Sequence, residues 1–324
     1  MKPTIAFTAF LSLAFTLTAE DWPNWRGPNF NGATEAKGLP VKFSKTENVA
    51  WAVPMPGPSA ATPIIVGDRV FVSSSDPDAQ ELLAMCLDRK TGSVLWQHVA
   101  GKGLRRDNRS NYASPSPVTD GKVATFFFGN GDLVTYTVQG KKLWSTKIQE
   151  DSNGFAFQWT FSTSPLLHDG VLYLQVLQRN TGVRGHGKPN GNESYLLALE
   201  PATGKVLWKH LRPAKARAES LEAFSTPLPF THNGREELVI VGGDCLTGHD
   251  PETGKELWRW GTWNPNRIGH WRLVPSPTAG GGVLLACAPK GGPVCAVKAG
   301  AKGQGELAWK TAGRTDDITS DVCT

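Results

Sequence analysis

Four stretches of the chain carry arginine, aromatic or imidazole side chains, and three of them combine arginine with a ring. That pairing binds carboxylates through charge-assisted hydrogen bonds and offers flat surfaces for stacking. The stretches are Lys102 to Tyr112, with Arg105, Arg106, Arg109 and Tyr112; Asn153 to Phe161, with Phe155, Phe157 and Trp159; Arg179 to Glu193, with Arg184 and His186; and Trp263 to Arg272, with Trp263, Arg267, His270 and Trp271. They are candidate contacts for a protein, peptide or glycan. The competing reading has the arginines solvating loops and the aromatics filling the interior. His186, inside Gly185-His-Gly187, reads as a loop residue rather than a base. Asp107, Asp151 and Glu193 lie in or beside these stretches, and a sugar hydrolase would need two such carboxylates facing each other across the bond.

Other chemistry has no footing. The chain has no Ser-His-Asp arrangement, no phosphate-binding glycine loop and no Cys/His spacing suited to zinc. No residue is assigned as catalytic or as a metal ligand, and a non-enzyme is expected. The five cysteines, Cys86, Cys245, Cys287, Cys295 and Cys323, are too few and too scattered for a disulfide framework. Cys287 and Cys295 flank a Pro-Lys-Gly-Gly-Pro turn, so a hairpin disulfide between them stays open beside the reading of small buried residues.

A net charge of +5 is too small for nucleic acid to be expected as a partner. Lys2, the apolar run Ile5 to Leu17 and Ala19 match a secretory signal peptide over residues 1–19. No later run reaches the roughly 18 apolar residues of a membrane span. An exported protein, periplasmic or extracellular and monomeric when full length, is expected.

The loops must hang on a scaffold, and the scaffold repeats. Gly92 and Trp96, Gly140 and Trp144, Gly204 and Trp208, Gly254 and Trp258, and Gly305 and Trp309 keep one spacing. Between these words fall Thr62-Pro63, Ser116-Pro117, Ser164-Pro165, Thr226-Pro227 and Ser276-Pro277. Each proline opens a strand, where its missing N–H breaks no central ladder bond. A tight turn and a second strand follow, then a Thr-Gly turn between two more. The unit is four antiparallel strands, A to D, in about 50 residues, the mark of a β-propeller blade. Asp88 and Asp250 accept backbone N–H groups at the C-to-D turn, where glycine takes the positive φ. An all-β chain follows, with residues 20–46 as an N-terminal extension and 47–324 as propeller repeats.

The words Leu-x-Ala-Leu-Asp/Glu-x-x-Thr-Gly-Lys-x-Leu-Trp, with the opening Trp22-Pro-Asn-Trp-Arg-Gly-Pro28, resemble the pyrroloquinoline-quinone (PQQ) propeller superfamily. The resemblance is to its smaller exported members, among them the scaffold that assists outer-membrane β-barrel assembly. It covers about Asp21 to Thr324 and implies an eight-bladed ring. Five complete blades and an orphan D strand around Trp51 are visible, so the sequence reads as a fragment lacking on the order of 130 residues.

The shared residues are turns and packing aromatics, so they speak for fold rather than activity. The A-to-B turns are short, whereas the long D-to-A and B-to-C loops emerge together on the other face. The expected function is a non-catalytic binding or assembly scaffold working through that face, with no cofactor. The alternative implied by the resemblance is a quinoprotein dehydrogenase holding PQQ and Ca²⁺. A third is a glycan-binding or carbohydrate-active propeller. The insertion Arg179 to Glu193, rich in Gly and Asn, is expected to be mobile.

Overall fold

A computed structural model describes residues 20–149, 153–261, 263–300 and 303–313. The expected leader, Asp151 and Cys323 lie outside them. The described strands form five four-stranded antiparallel sheets, each a simple meander. Blade 1 holds β1 (Ile64–Val66), β2 (Arg69–Asp76), β3 (Glu81–Asp88) and β4 (Val94–Lys102). Blade 2 holds β5 (Val118–Thr119), β6 (Val123–Phe127), β7 (Asp132–Thr137) and β8 (Lys142–Lys147). In blade 3, β9 (Leu166–His168) and β10 (Val171–Val176) are followed by an extra hairpin, β11 (Thr181–Val183) and β12 (His186–Asn190), before β13 (Tyr195–Leu199) and β14 (Val206–Leu211). Blade 4 holds β15 (Leu228–His232), β16 (Arg235–Gly242), β17 (Cys245–His249) and β18 (Glu256–Trp260). Blade 5 holds β19 (Thr278–Gly280), β20 (Val283–Cys287), β21 (Val294–Lys298) and β22 (Glu306–Lys310).

Stacking the sheets face to face buries both sides of the middle strands. β6, β13 and β17 are buried at every position, and β13 accordingly reads as a continuous apolar run. The D strands form the outer rim, and β4, β8 and β22 are largely exposed.

The fixed Gly-to-Trp spacing has a structural cause. In every blade the C-to-D register slips by one residue just before the tryptophan: Ala198 faces Trp208 while Leu199 faces Val206, leaving Leu207 unpaired. The same bulge falls on Leu95, Leu143, Leu257 and Ala308. A one-residue slip reverses which face a side chain points to, so the bulge aims the indoles of Trp96, Trp144 and Trp208 at the neighbouring blade. Trp51, Trp96, Trp144 and Trp208 lie over Gly92, Gly140, Gly204 and Gly254 of the following turn. Their indole N–H groups donate to the carbonyls of Arg89, Val138, Pro201 and Pro251. Trp258 differs, donating instead to the Glu237 carboxylate of its own blade. Residues 49–56, expected to hold the orphan D strand, pair with no strand among the described residues, yet Trp51 still docks on blade 1.

The C-to-D turns are built as expected. The Asp88 carboxylate accepts from the Lys90 and Thr91 N–H groups, and Asp250 from those of Glu252 and Thr253. Bonds from Thr91 hold the Asp88 carboxyl below its ordinary range.

The register of the last blade separates Cys287 from Cys295. Cys287 faces Val294 and Cys295 faces Ala286, so the two thiols are on opposite sides of the sheet. The two are not bonded to each other.

The N-terminal segment is threaded into the scaffold. Trp22 exchanges both backbone bonds with Ile65 of β1, at 2.7 and 2.9 Å, and Pro23 accepts from Thr119 of blade 2. Arg26 donates to the carbonyls of Pro277 (2.7 Å) and Ser276 (3.4 Å) in blade 5. Residues 31–50 are exposed throughout.

Candidate binding face

The Ser and Thr residues before the marker prolines meet around the axis. The Thr62 N–H donates to Ser116 Oγ at 2.9 Å, Ser116 N–H to Ser164 Oγ at 3.0 Å, and Thr226 N–H to Ser276 Oγ at 2.8 Å. Each hydroxyl thus ties its blade to the one before, a role for the Ser/Thr that sequence reading assigned only to the proline. These hydroxyls line an axial cavity of about 160 Å³ shared with Trp25, Arg109, Ser110 and Phe224. Arg26 stacks on Trp25, its guanidinium carbon 4.4 Å from the ring centre, so the N-terminal segment helps to wall the axis.

Beside the axis, the loop between blades 2 and 3 carries Trp159. Arg184 and Arg272 approach its ring at 5.8 and 5.4 Å, within cation–π range. Arg272 also bonds Glu219 at 2.6 Å, and the Trp159 indole N–H reaches the same oxygen at 3.2 Å. Glu219 thus fixes ring and guanidinium together, while Arg184 is exposed. Arg105 donates to the Gln158 carbonyl at 2.8 Å, and Arg106 and Arg109 are exposed.

Behind this surface, Glu222 is fully buried. Its Oε1 receives the Arg179 guanidinium and the Gln158 N–H (3.1 Å), while Oε2 has no hydrogen-bond partner among the described residues. Burial pushes this carboxyl up to about 7, against the pull of Arg179.

Several expected contacts have other duties. Phe157 is 0% exposed and packs against Phe161 and Phe224, so it does not belong to the binding face. Burial and the edge-to-face preference of aromatic rings explain this correction. Trp263 is buried against Trp260, and Trp271 is half-buried in the same cluster. Tyr112 is half-buried against the blade 1 and 2 interior, and its carbonyl accepts from Gly129. Arg267 donates to the Lys215 carbonyl, and His270 is exposed nearby. His186 opens β12, and burial, with Arg105 alongside, lowers its imidazole below the ordinary range.

Asp107 is a loop organiser. It accepts from Thr160 N–H and hydroxyl and from the N–H groups of Arg109 and Ser110. Burial raises this carboxyl, but those donors outweigh it and hold the group below its ordinary value. Glu193 pairs with Lys209 at 3.3 Å. The segment Arg179 to Glu193 holds the β11–β12 hairpin, and the Asn192 side chain bonds both the N–H and the carbonyl of Lys188 at 2.8 Å.

Trp25, Glu219, Glu222 and Arg272 were missed as site residues. Glu219 and Glu222 stand three apart in the loop before Thr226-Pro227, and that paired-acid spacing was the available signal.

Five meander blades joined by indole-on-glycine contacts and an axial ring of hydroxyls define a β-propeller. The chain belongs to the family described as outer membrane protein assembly factor BamB, which matches residues 33–184 and again 156–322. Among curated proteins it is similar to the polyvinylalcohol dehydrogenase of a Pseudomonas species, 26% identical over 270 residues, covering 74% of this chain and 40% of the relative. The enzyme of the same name from Sphingopyxis sp. (strain 113P3) is 29% identical over 199 residues, covering 59% of this chain and 28% of the relative. The chain thus spans less than half the length of either. Among solved structures, a europium-containing methanol dehydrogenase aligns with TM-score 0.55 at 14% identity, over 79% of this chain and 51% of that one. The quinohemoprotein alcohol dehydrogenase of Comamonas testosteroni aligns with TM-score 0.53 at 14% identity, over 90% of this chain and 49% of that one. At such identity these alignments establish the shared propeller fold. No helix among the described residues is long and apolar enough to cross a membrane.

Proposed function

We propose that this chain is an exported, non-catalytic propeller whose loop face binds a partner bearing carboxylates, a protein segment or an acidic glycan. The observation that carries the reading is Trp159 held between Arg184 and Arg272. The ring offers a stacking surface, Arg272 is fixed by Glu219, and Arg184 stands exposed for a carboxylate. Arg106 and Arg109 extend the cationic surface toward the axis. An acidic peptide such as oligoglutamate, titrated calorimetrically, is expected to bind with salt-sensitive affinity. Arg184→Ala and Trp159→Ala are expected to weaken it about tenfold each, the scale of a lost charge-assisted or cation–π contact. Equal binding by both variants would remove the proposal.

A second reading, quinoprotein dehydrogenase, is favoured by the similarity to polyvinylalcohol dehydrogenases. That reading would require a site for PQQ and calcium. The axial cavity of about 160 Å³ is smaller than the roughly 300 Å³ at which small-molecule and cofactor sites begin. Of the buried carboxylates on this face, Glu222 gives its Oε1 to Arg179 and Glu219 its Oε1 to Arg272. These observations support the scaffold reading. Added PQQ and Ca²⁺ are expected to leave no retained quinone absorbance and no dye reduction with alcohols. Retained quinone with alcohol-dependent dye reduction would favour the second reading.

A further inference from the structure

The plain face, opposite the long loops, carries a constellation that the binding-face reading does not use. His168 closes β9, Asp169 opens the two-residue turn into β10, and Glu236 is the second residue of β16 in the next blade. The His168 Nε2 contacts the Glu236 carboxylate and lies 3.9 Å from Asp169 Oδ2. One ligand atom from each residue falls within 4.8 Å of the others.

Two features outside the trio bear on it. Phe30, delivered by the threaded N-terminal segment, meets the His168 ring edge-on at 5.7 Å and 82°, which limits its rotation. Tyr173 lies close by, its phenol pushed up to about 12 first by burial and then by the charges of Glu236, Asp169, Asp250 and Glu252. Asp169 and Glu236 thus both face the one imidazole. Among the described residues, His168 is the basic side chain in ion-pair contact with Asp169 and Glu236. A single imidazole does not balance two carboxylates.

We propose that His168, Asp169 and Glu236 bind a divalent first-row transition-metal ion, with zinc as the fitting case. One imidazole nitrogen and two carboxylate oxygens are borderline donors suited to such an ion, and water would complete the shell. The nitrogen ligand argues against calcium and magnesium, which prefer oxygen throughout. Two ligands come from blade 3 and one from blade 4, so the ion clips consecutive blades where the N-terminal segment crosses them. The plainer alternative is a His168–Glu236 ion pair with no ion bound.

The test uses the untagged chain, stripped with a chelator and titrated calorimetrically with zinc chloride. One zinc ion per chain is expected, with a rise in melting temperature on binding. His168→Ala is expected to weaken binding by at least about 100-fold, the upper end of what losing even an outer-shell partner costs. Asp169→Asn keeps a residue suited to the positive φ of 46° at this turn and is expected to weaken binding about tenfold. His232→Ala removes a half-buried imidazole that stacks on Phe230, outside the trio, and should leave the affinity unchanged. If far-ultraviolet circular dichroism shows that His168→Ala misfolds, Asp169→Asn and Glu236→Gln decide. No saturable zinc binding, or wild-type affinity in the folded ligand variants, would overturn the site and leave the ion pair.

Discussion

The indole of Trp96 lies so close to Gly140 of the next blade that a Cβ on that glycine would sit 2.7 Å from the ring. Gly140 also has φ of 93°, a conformation that side chains resist. Gly140→Ala should therefore destabilise the chain by about 2–4 kcal/mol through backbone strain and overpacking. Trp96→Ala should cost about 3 kcal/mol, the lower end for a large aromatic because the ring is half-buried. The double variant should lose less than the sum, since removing the indole relieves the clash. Urea unfolding of the three variants checks this.

Glu222 sets a pH dependence of one sign. Burial raises its folded value from the ordinary 4.5 to about 7, so the folded chain holds a proton that the unfolded chain has released over that window. Stability from this group is greatest below about 4.5 and falls as pH rises to about 7, by on the order of 3 kcal/mol. Glu222→Gln should flatten that slope. Comparing urea midpoints at pH 5 and pH 8 for wild type and variant would show it.

His249 acts in the opposite direction. It is fully buried, with Nδ1 2.9 Å from the Gly254 carbonyl, Nε2 2.9 Å from Thr247 Oγ1 and Arg212 nearby. Burial first, then Arg212, lowers its imidazole from 6.5 to about 3. The unfolded chain takes up a proton that the folded chain refuses, so stability present above 6.5 is lost as pH falls toward 3. Imidazole chemical shifts should show His249 neutral at pH 5, with Nδ1 carrying the hydrogen; a charged ring at that pH would contradict this.

Arg26 fastens the N-terminal segment across the axis. Arg26→Ala removes the bonds to the Pro277 and Ser276 carbonyls and the stack on Trp25, a loss of about 2 kcal/mol. Limited proteolysis should then cut within residues 22–30 faster than in wild type. Arg26→Lys should not restore protection, because an ammonium lacks the planar fork that spans two carbonyls while stacking.

Cys287 and Cys295 should remain separate thiols. Peptide mapping under non-reducing conditions is expected to recover them in unlinked peptides, and a reductant should leave the melting temperature unchanged. A linked peptide would mean that the hairpin register differs from the Cys287–Val294 pairing.

Turns, the strand-opening prolines and the recurrent tryptophan were legible in the sequence because each is decided within a few residues. Asp88 finds its donors at Lys90 and Thr91, and Gly92, Gly204 and Gly254 take positive φ for reasons local to one turn. The bulge before each tryptophan was implicit in the fixed spacing, but its purpose depends on a neighbouring blade. The candidate site was less legible. Phe157 and Trp159 are two residues apart and equally aromatic, yet one is sealed inside and the other stands between two arginines. Glu222 and Arg179 are 43 positions apart, and Arg26 and Pro277 are 251 apart. Local pattern alone therefore determined a propeller of four-stranded blades with one decorated face. Tertiary structure decided which loop residues are presented, which carboxylates are buried and where the N-terminal segment runs, because burial and long-range pairing arise only once the blades have stacked.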